Sequence, residues 1–159
     1  RNNEGNESTQ QRLLTNQQHN DLTTLGEFMQ RIKSYKELDV YKLAMDTAMK
    51  VFELTKYFPK EERYSLTDQV RRSTRSVCTN IAEAWRKRRY RAAFIAKLND
   101  AETEACETQV HLEISCRCTY LQREIVDSLD DTYEHIMAQL VNMIQGADHW
   151  VINGRSSRR

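Results

Sequence analysis

Apolar residues recur at spacings of three and four in four separate stretches, with polar and charged residues between them. In the first, Leu38, Tyr41, Met45, Ala48, Phe52 and Thr55 form a heptad seam, widened by Leu54 and Phe58, that predicts a helix from about Tyr35 to Tyr57. Pro59 ends it, because proline cannot donate a backbone hydrogen bond and turns Phe58 away from helical geometry. The second helix opens at Ser65, expected to cap the amide of Asp68, whose carboxylate suits the positive end of the helix dipole. Its inward stripe is Leu66, Val70, Ser73, Val77, Ile81 and Ala84, thin and interleaved with Ser76 and Asn80. Such small side chains let a neighbouring helix approach closely, and a buried Asn can fix register. Ile95, Leu98, Ala101, Ala105, Leu112 and Cys116 line a third helix over about Ala92 to Cys116. After a break near Thr119 to Leu121, a fourth runs from Arg123 to Ala147 on Ile125, Leu129, Thr132, Ile136, Leu140, Met143 and Ala147, with Gly146 marking where it frays. Four amphipathic helices with short connections predict an all-α fold, an antiparallel up-down-up-down four-helix bundle over residues 34–150.

The flanks read differently. Residues 1–33 are rich in Asn, Gln, Thr and Ser around an isolated Leu13-Leu14 pair. They hold too little apolar area to offset the entropy of ordering, so a mostly disordered segment is expected, with a short helical turn around Leu25 to Ile32. Residues 151–159 are expected to be a basic, disordered tail. One proline and four glycines in 159 residues leave few of the breaks that a β-sandwich needs. No apolar run approaches the length that spans a membrane, and the start lacks the apolar core of a signal peptide. Cys78, Cys106, Cys116 and Cys118 contain no CxxC pair, and free thiols in a reducing cytoplasm are the expectation. The chain opens on Arg1 rather than a methionine, and an upstream piece would alter that localisation.

Net charge is only +1, but it is segregated. From Arg71 to Arg91 eight basic residues stand against one acid, Glu83, while Leu98 to Glu113 holds five acids and no Lys or Arg. That pattern suits a nucleic-acid surface or subunits that pair head to tail. Other chemistries find no machinery. The residues three before His19, His111, His135 and His149 are Asn16, Thr108, Thr132 and Gly146, so the Glu-x-x-His pairs of a di-iron bundle are absent and no metal or other cofactor is expected. The histidines then read as surface or interface residues, and Cys78 as a small buried hydrophobe. No glycine-rich loop could cradle a phosphate. The basic run is the positive signal: Arg86, Lys87, Arg88, Arg89 and Arg91 supply phosphate contacts, with Trp85 and Tyr90 as stacking faces and Arg71, Arg72 and Arg75 extending the charge along the same helix.

The pattern Leu66-x-x-Gln69-x-Arg71-Arg72-x-x-x-Ser76-x-x-x-Asn80-Ile81-Ala82-Glu83-Ala84 carries a resemblance. It is supported by Lys36-Glu37-Leu38-Asp39-Val40-Tyr41, by Phe58-Pro59-Lys60-Glu61-Glu62, and by Glu104-x-x-Glu107-Thr108-Gln109. From about Tyr35 to Ala147 the chain resembles the four-helix-bundle proteins encoded in intervening sequences of bacterial 23S rRNA genes. The resemblance implies a homo-oligomer, a pentamer with a central channel, and no enzymatic activity. A related bundle is the accessory protein of diversity-generating retroelements, which makes RNA and a reverse transcriptase implied partners. Gln69, Ser76, Asn80, Glu83, Glu104 and Glu107 would serve structure or subunit contacts. Where the family commonly carries Gly-Phe-Gly, this chain has Ala84-Trp85-Arg86 and further basic residues, which adds to the nucleic-acid reading. The expectation is a non-enzymatic RNA-binding accessory protein. The competing expectation is an oligomeric scaffold whose arginines pair with Glu102, Glu104 and Glu107 across subunit interfaces.

Overall fold

The computed structural model describes residues 32–152. The expectations for residues 1–31 and 153–159 lie outside that range. A 3-10 turn at Tyr35–Glu37 leads into α1 (Asp39–Leu54), which unwinds through a second 3-10 turn at Thr55–Tyr57. Phe58 is extended, at φ −66° and ψ 151°, as expected of a residue before proline. A third 3-10 turn, Lys60–Tyr64, delivers the chain to α2 (Leu66–Lys87), followed by α3 (Arg91–Arg117), α4 (Arg123–Gln145) and the single turn α5 (Ala147–Trp150).

Cross-helix bonds give the direction of each pass. Arg71 reaches back to Thr55 at 2.8 Å, Thr108 meets Ser73 and Lys97 meets Asn80, and Gln109 meets Glu134 while Glu113 meets Arg123. On α1 and α2, Phe52 lies by Arg71 and Tyr41 by Cys78, so in each pair the number rises on one helix as it falls on the other, and neighbouring long helices run antiparallel. α1 packs on α2, α2 on α3, α3 on α4, and α4 closes on α1.

The core holds Val51, Val70, Val77, Ile81, Phe94, Leu98, Leu112, Val126, Leu129, Ile136 and Leu140, each removed from solvent. A buried side chain of this size stabilises the fold by about 1.5–3 kcal/mol, so the four stripes outweigh any surface ion pair in holding the bundle. The most extensive helix contact is between α2 and α3. It is where Ser73, Ala101 and Ala105 are buried, small enough for the two backbones to come close.

Several expectations change. On α3 and α4 the inward positions include Phe94, Ser115, Val126 and Tyr133, each next to an expected residue (Ile95, Cys116, Ile125, Thr132) that is only half-buried. The inward stripe of α1 is Val40, Ala44, Thr47, Ala48 and Val51, whereas Tyr41 and Phe52 are half-buried and Met45 is exposed. Leu38, Ala48, Thr55 and Phe58 are buried as expected, while at the intervening turns the bulkier of two apolar stripes, Tyr41, Met45 and Phe52, lies outside. Ser65 does not cap α2; its hydroxyl bonds the carboxylate of Glu62, and Glu62 itself accepts the amide of Leu66 at 3.2 Å. These bonds, with a third from the Tyr120 hydroxyl, hold the Glu62 carboxyl below its usual pKa. His111 is buried rather than on the surface, because it sits one turn from Thr108 and Ser115 on the inner face of α3; Nε2 faces Glu107 at 3.2 Å.

Candidate nucleic-acid interface

The corner between α2 and α3 is built by backbone before charge enters. Arg86 and Lys87 occupy the last turn of α2, where cations suit the negative end of the helix dipole. The Tyr90 amide bonds the Lys87 carbonyl at 2.9 Å, and Tyr90, extended at φ −130°, starts α3 by accepting from the Phe94 amide at 2.9 Å. Fully buried Phe94 anchors that first turn.

The charged side chains divide into two sorts. Arg88 is structural: its guanidinium lies 3.2 Å from the centre of the Trp85 ring, its Nε donates to the Trp85 carbonyl at 3.0 Å, and its own carbonyl accepts from the Ile152 amide at 2.9 Å. Arg91 donates to Asp148 at 2.6 Å, so α5 and the residues just after it brace the corner at two points. Arg86, Lys87 and Arg89 are exposed and have no ion-pair or hydrogen-bonding side-chain partner among the described residues.

Trp85 is not the stacking face expected of it. Only 7% of it is exposed, covered in part by Arg88, so it is a core residue and presents no stacking face. Tyr90, 70% exposed, remains as the available ring at this corner.

The other cations predicted for the site lie elsewhere on α2. Arg72 and Arg86 are fourteen residues apart, roughly 20 Å along the helix axis. Arg71 is held by Thr55 and by the Phe52 ring at 4.7 Å, Arg72 lies beside Glu104, and Arg75 is exposed. Burial raises the pKa of Glu104, Glu107 adds to the rise, and Arg72 opposes it. The predicted ten residues therefore form a corner group and a separate group along the helix.

The residues expected to serve structure or contacts are likewise spread. Asn80 and Glu83 both meet Lys97, at 3.3 and 2.8 Å, and Lys97 also pairs with Asp100. Asn80 and Ser76 are half-buried; the fully buried hydroxyl on this face belongs to Ser73, 2.8 Å from that of Thr108. Gln69 is exposed and Glu107 faces His111. Lys97 was missed because its partnership with Glu83 exists only once the α2–α3 register is set. That register also places Glu104 near Arg72, several turns from Arg86 and Arg89, so no pairing of the corner with Glu104 or Glu107 occurs within one chain. The thiols are free, and burial pushes that of Cys78 up to about 11, far from nucleophilic use at neutral pH.

Comparison with known proteins follows the same boundaries. The model of the 23S rRNA-intervening sequence protein family matches residues 36–142. The chain belongs to this family. A crystal structure from Bacteroides thetaiotaomicron, described as a protein with unknown function from the S23 ribosomal protein family, is similar at 33% identity and a TM-score of 0.61. The match covers 67% of this chain and 95% of that one. No curated protein matches. The part shared with the 23S rRNA-intervening sequence family takes in the corner from Trp85 to Arg91, but stops before Asp148 and Ile152, which brace it here. Among the described residues no helix is long and apolar enough to cross a membrane.

Proposed function

We propose that this chain is a non-enzymatic RNA-binding accessory protein that works as a homo-oligomeric ring. The observation that carries the reading is the exposure of Arg86, Lys87 and Arg89 with no ion pair among the described residues, Glu83 one turn away being taken up by Lys97, beside the exposed ring of Tyr90. Unneutralised cations on a rigid helix end bind phosphates by releasing counterions, and a nearby ring offers stacking to unpaired bases. A ring repeats the corner once per subunit and raises affinity through effective concentration. The resemblance alone names a reverse transcriptase as the enzyme it would serve.

The test is filter binding of single-stranded RNA at two salt concentrations. Replacing Arg86, Lys87 and Arg89 by Ala lowers affinity at least tenfold at low salt and flattens the logarithmic salt dependence by about 2, at roughly 0.7 per phosphate contact. Helicity and mass in solution stay unchanged. Loss of assembly with RNA affinity intact would instead make these cations subunit contacts.

A second reading, the oligomeric scaffold, is favoured by two exposed apolar grooves on opposite flanks of the bundle. One, of about 500 Å³ between α1 and α2, runs past Tyr41, Met45, Met49 and Phe52 with Arg71 and Arg75 at its side. The other, of about 520 Å³ between α3 and α4, holds Val110 and Ile114 with Glu113, Arg117 and Asp130. An Asp130 oxygen is buried without a partner, and burial, with Asp127 and Glu113 beside it, raises its pKa. Two different apolar patches on opposite flanks suit a head-to-tail contact between copies, the arrangement that closes into rings.

A further inference from the structure

A second cationic site lies at the other end of α2, where the sequence showed only a helix terminator. Between the end of α1 and the start of α2 is a cavity of about 650 Å³, within the range of small-molecule sites. Lys56, Lys60, Arg63 and Arg71 line it, and no acidic residue does. Lys56 is already paired with Glu53 at 2.7 Å. Arg71 is pre-positioned by its bond to Thr55 and its place over Phe52. Lys60 has no ion pair among the described residues, and Arg63 has only the Tyr64 ring beside it, 6.0 Å from the ring centre.

The cavity also abuts the first turn of α2. Helix starts concentrate partial positive charge on amides that have no carbonyl partner. Glu62 takes up one of these, the Leu66 amide, from the side that faces Tyr120. The decisive residue is Thr67, the second residue of α2. It lines the cavity, is 6% exposed, and carries a buried hydroxyl with no hydrogen-bond partner. A buried unpartnered hydroxyl costs stability, whereas valine has almost the same shape without that cost. Its presence in a wall shared with four cations and a helix start has an account if an anion completes its bonding.

We propose that this cavity binds a small phosphate-bearing ligand of nucleotide size, independently of the Arg86–Arg89 corner. Lys60, Arg63 and Arg71 meet the phosphate oxygens, the Thr67 hydroxyl donates to one of them, and the Tyr64 ring, 89% exposed, offers a flat flank to a base.

Calorimetric titration of the full chain with inorganic pyrophosphate and with ATP tests this. One ligand should bind per chain, weakened at least tenfold by K60A/R63A and unchanged by R86A/K87A/R89A, with circular dichroism confirming that each variant folds. Tighter binding of ATP identifies a nucleotide as the ligand class; equal binding of both identifies an inorganic oligophosphate. Thr67→Val separates a binding role from a packing role: affinity should fall severalfold while thermal stability holds or rises. The proposal is overturned if neither probe gives saturable binding at millimolar concentration. It is also overturned if binding is lost in R86A/K87A/R89A but kept in K60A/R63A, or if only RNA competes for Lys60 and Arg63.

Discussion

Thr119 shows how much a single backbone angle can carry. Among the described residues it is the one non-glycine position with a positive φ, at 63°. It closes α3 in a paired arrangement: the Tyr120 amide bonds the Ser115 carbonyl and the Thr119 amide that of Cys116, each at 2.9 Å. This helix ending normally uses glycine, because a Cβ crowds the following carbonyl in the left-handed region, and a β-branched residue suffers most. Thr119→Gly relieves that strain and gives back part of the gain through added freedom of the unfolded chain. The expected net is a stabilisation of about 0.5–1 kcal/mol. Thermal unfolding should shift upward by about 2 °C; a lower midpoint would mean that the Thr119 side chain contributes contacts that outweigh the strain.

At the scale of elements, the helix ends and their clamps decide behaviour that the apolar stripes do not. Glu113 on α3 receives Arg117 from its own helix and Arg123 from α4, each at 2.7 Å, and these bonds hold its carboxyl down to about 2. A folded pKa below the unfolded value of 4.5 contributes stability that is full above 4.5 and is lost as pH falls toward 2. Glu113→Gln should therefore be less stable than the parent at pH 6, with the gap closing between pH 4.5 and 2 in urea unfolding curves. A gap that stays constant over that range would assign the loss to something other than the carboxylate charge. The same scale explains what could be read from the chain. On α2 each residue of the expected stripe, from Leu66 to Ala84, is buried, because few apolar residues compete with it there, whereas the burial of Thr67, Thr74 and Trp85 beside it was not legible. On α1 two stripes compete, and bulk favoured Tyr41 and Phe52 over Val40, Ala44 and Val51, which the bundle buries. Thr108, His111 and Ser115 were passed over on α3 because polar residues carry no period signal, although the helix face they share with Leu112 turns inward. At the corner the run of charge was visible, but the packing of Trp85, the bracing by Asp148 and Ile152, and the cavity beneath Arg63 depend on contacts between distant segments.

For the whole molecule, the two apolar grooves are the feature that the bundle alone does not need. Met49 lies exposed on the α1–α2 groove, away from the corner and from the core. A charge there is uncompensated if the groove is covered by another copy and harmless if it faces water. If copies meet through this groove as proposed, Met49→Glu lowers the mass found by light scattering to that of one chain without changing the circular dichroism spectrum. An unchanged mass would overturn the head-to-tail contact proposed for this groove. An even number of passes has a further result for such a body. The start of α1, the end of α2, the start of α3 and the end of α4 share one pole, so the chain enters at Ser34 and leaves at Ile152 beside the same basic corner. One pole thus gathers the basic corner and the two ends of the bundle, and the opposite pole, where Lys60 and Arg63 stand, carries the α1–α2 and α3–α4 turns, so the two cationic sites sit a full helix length apart.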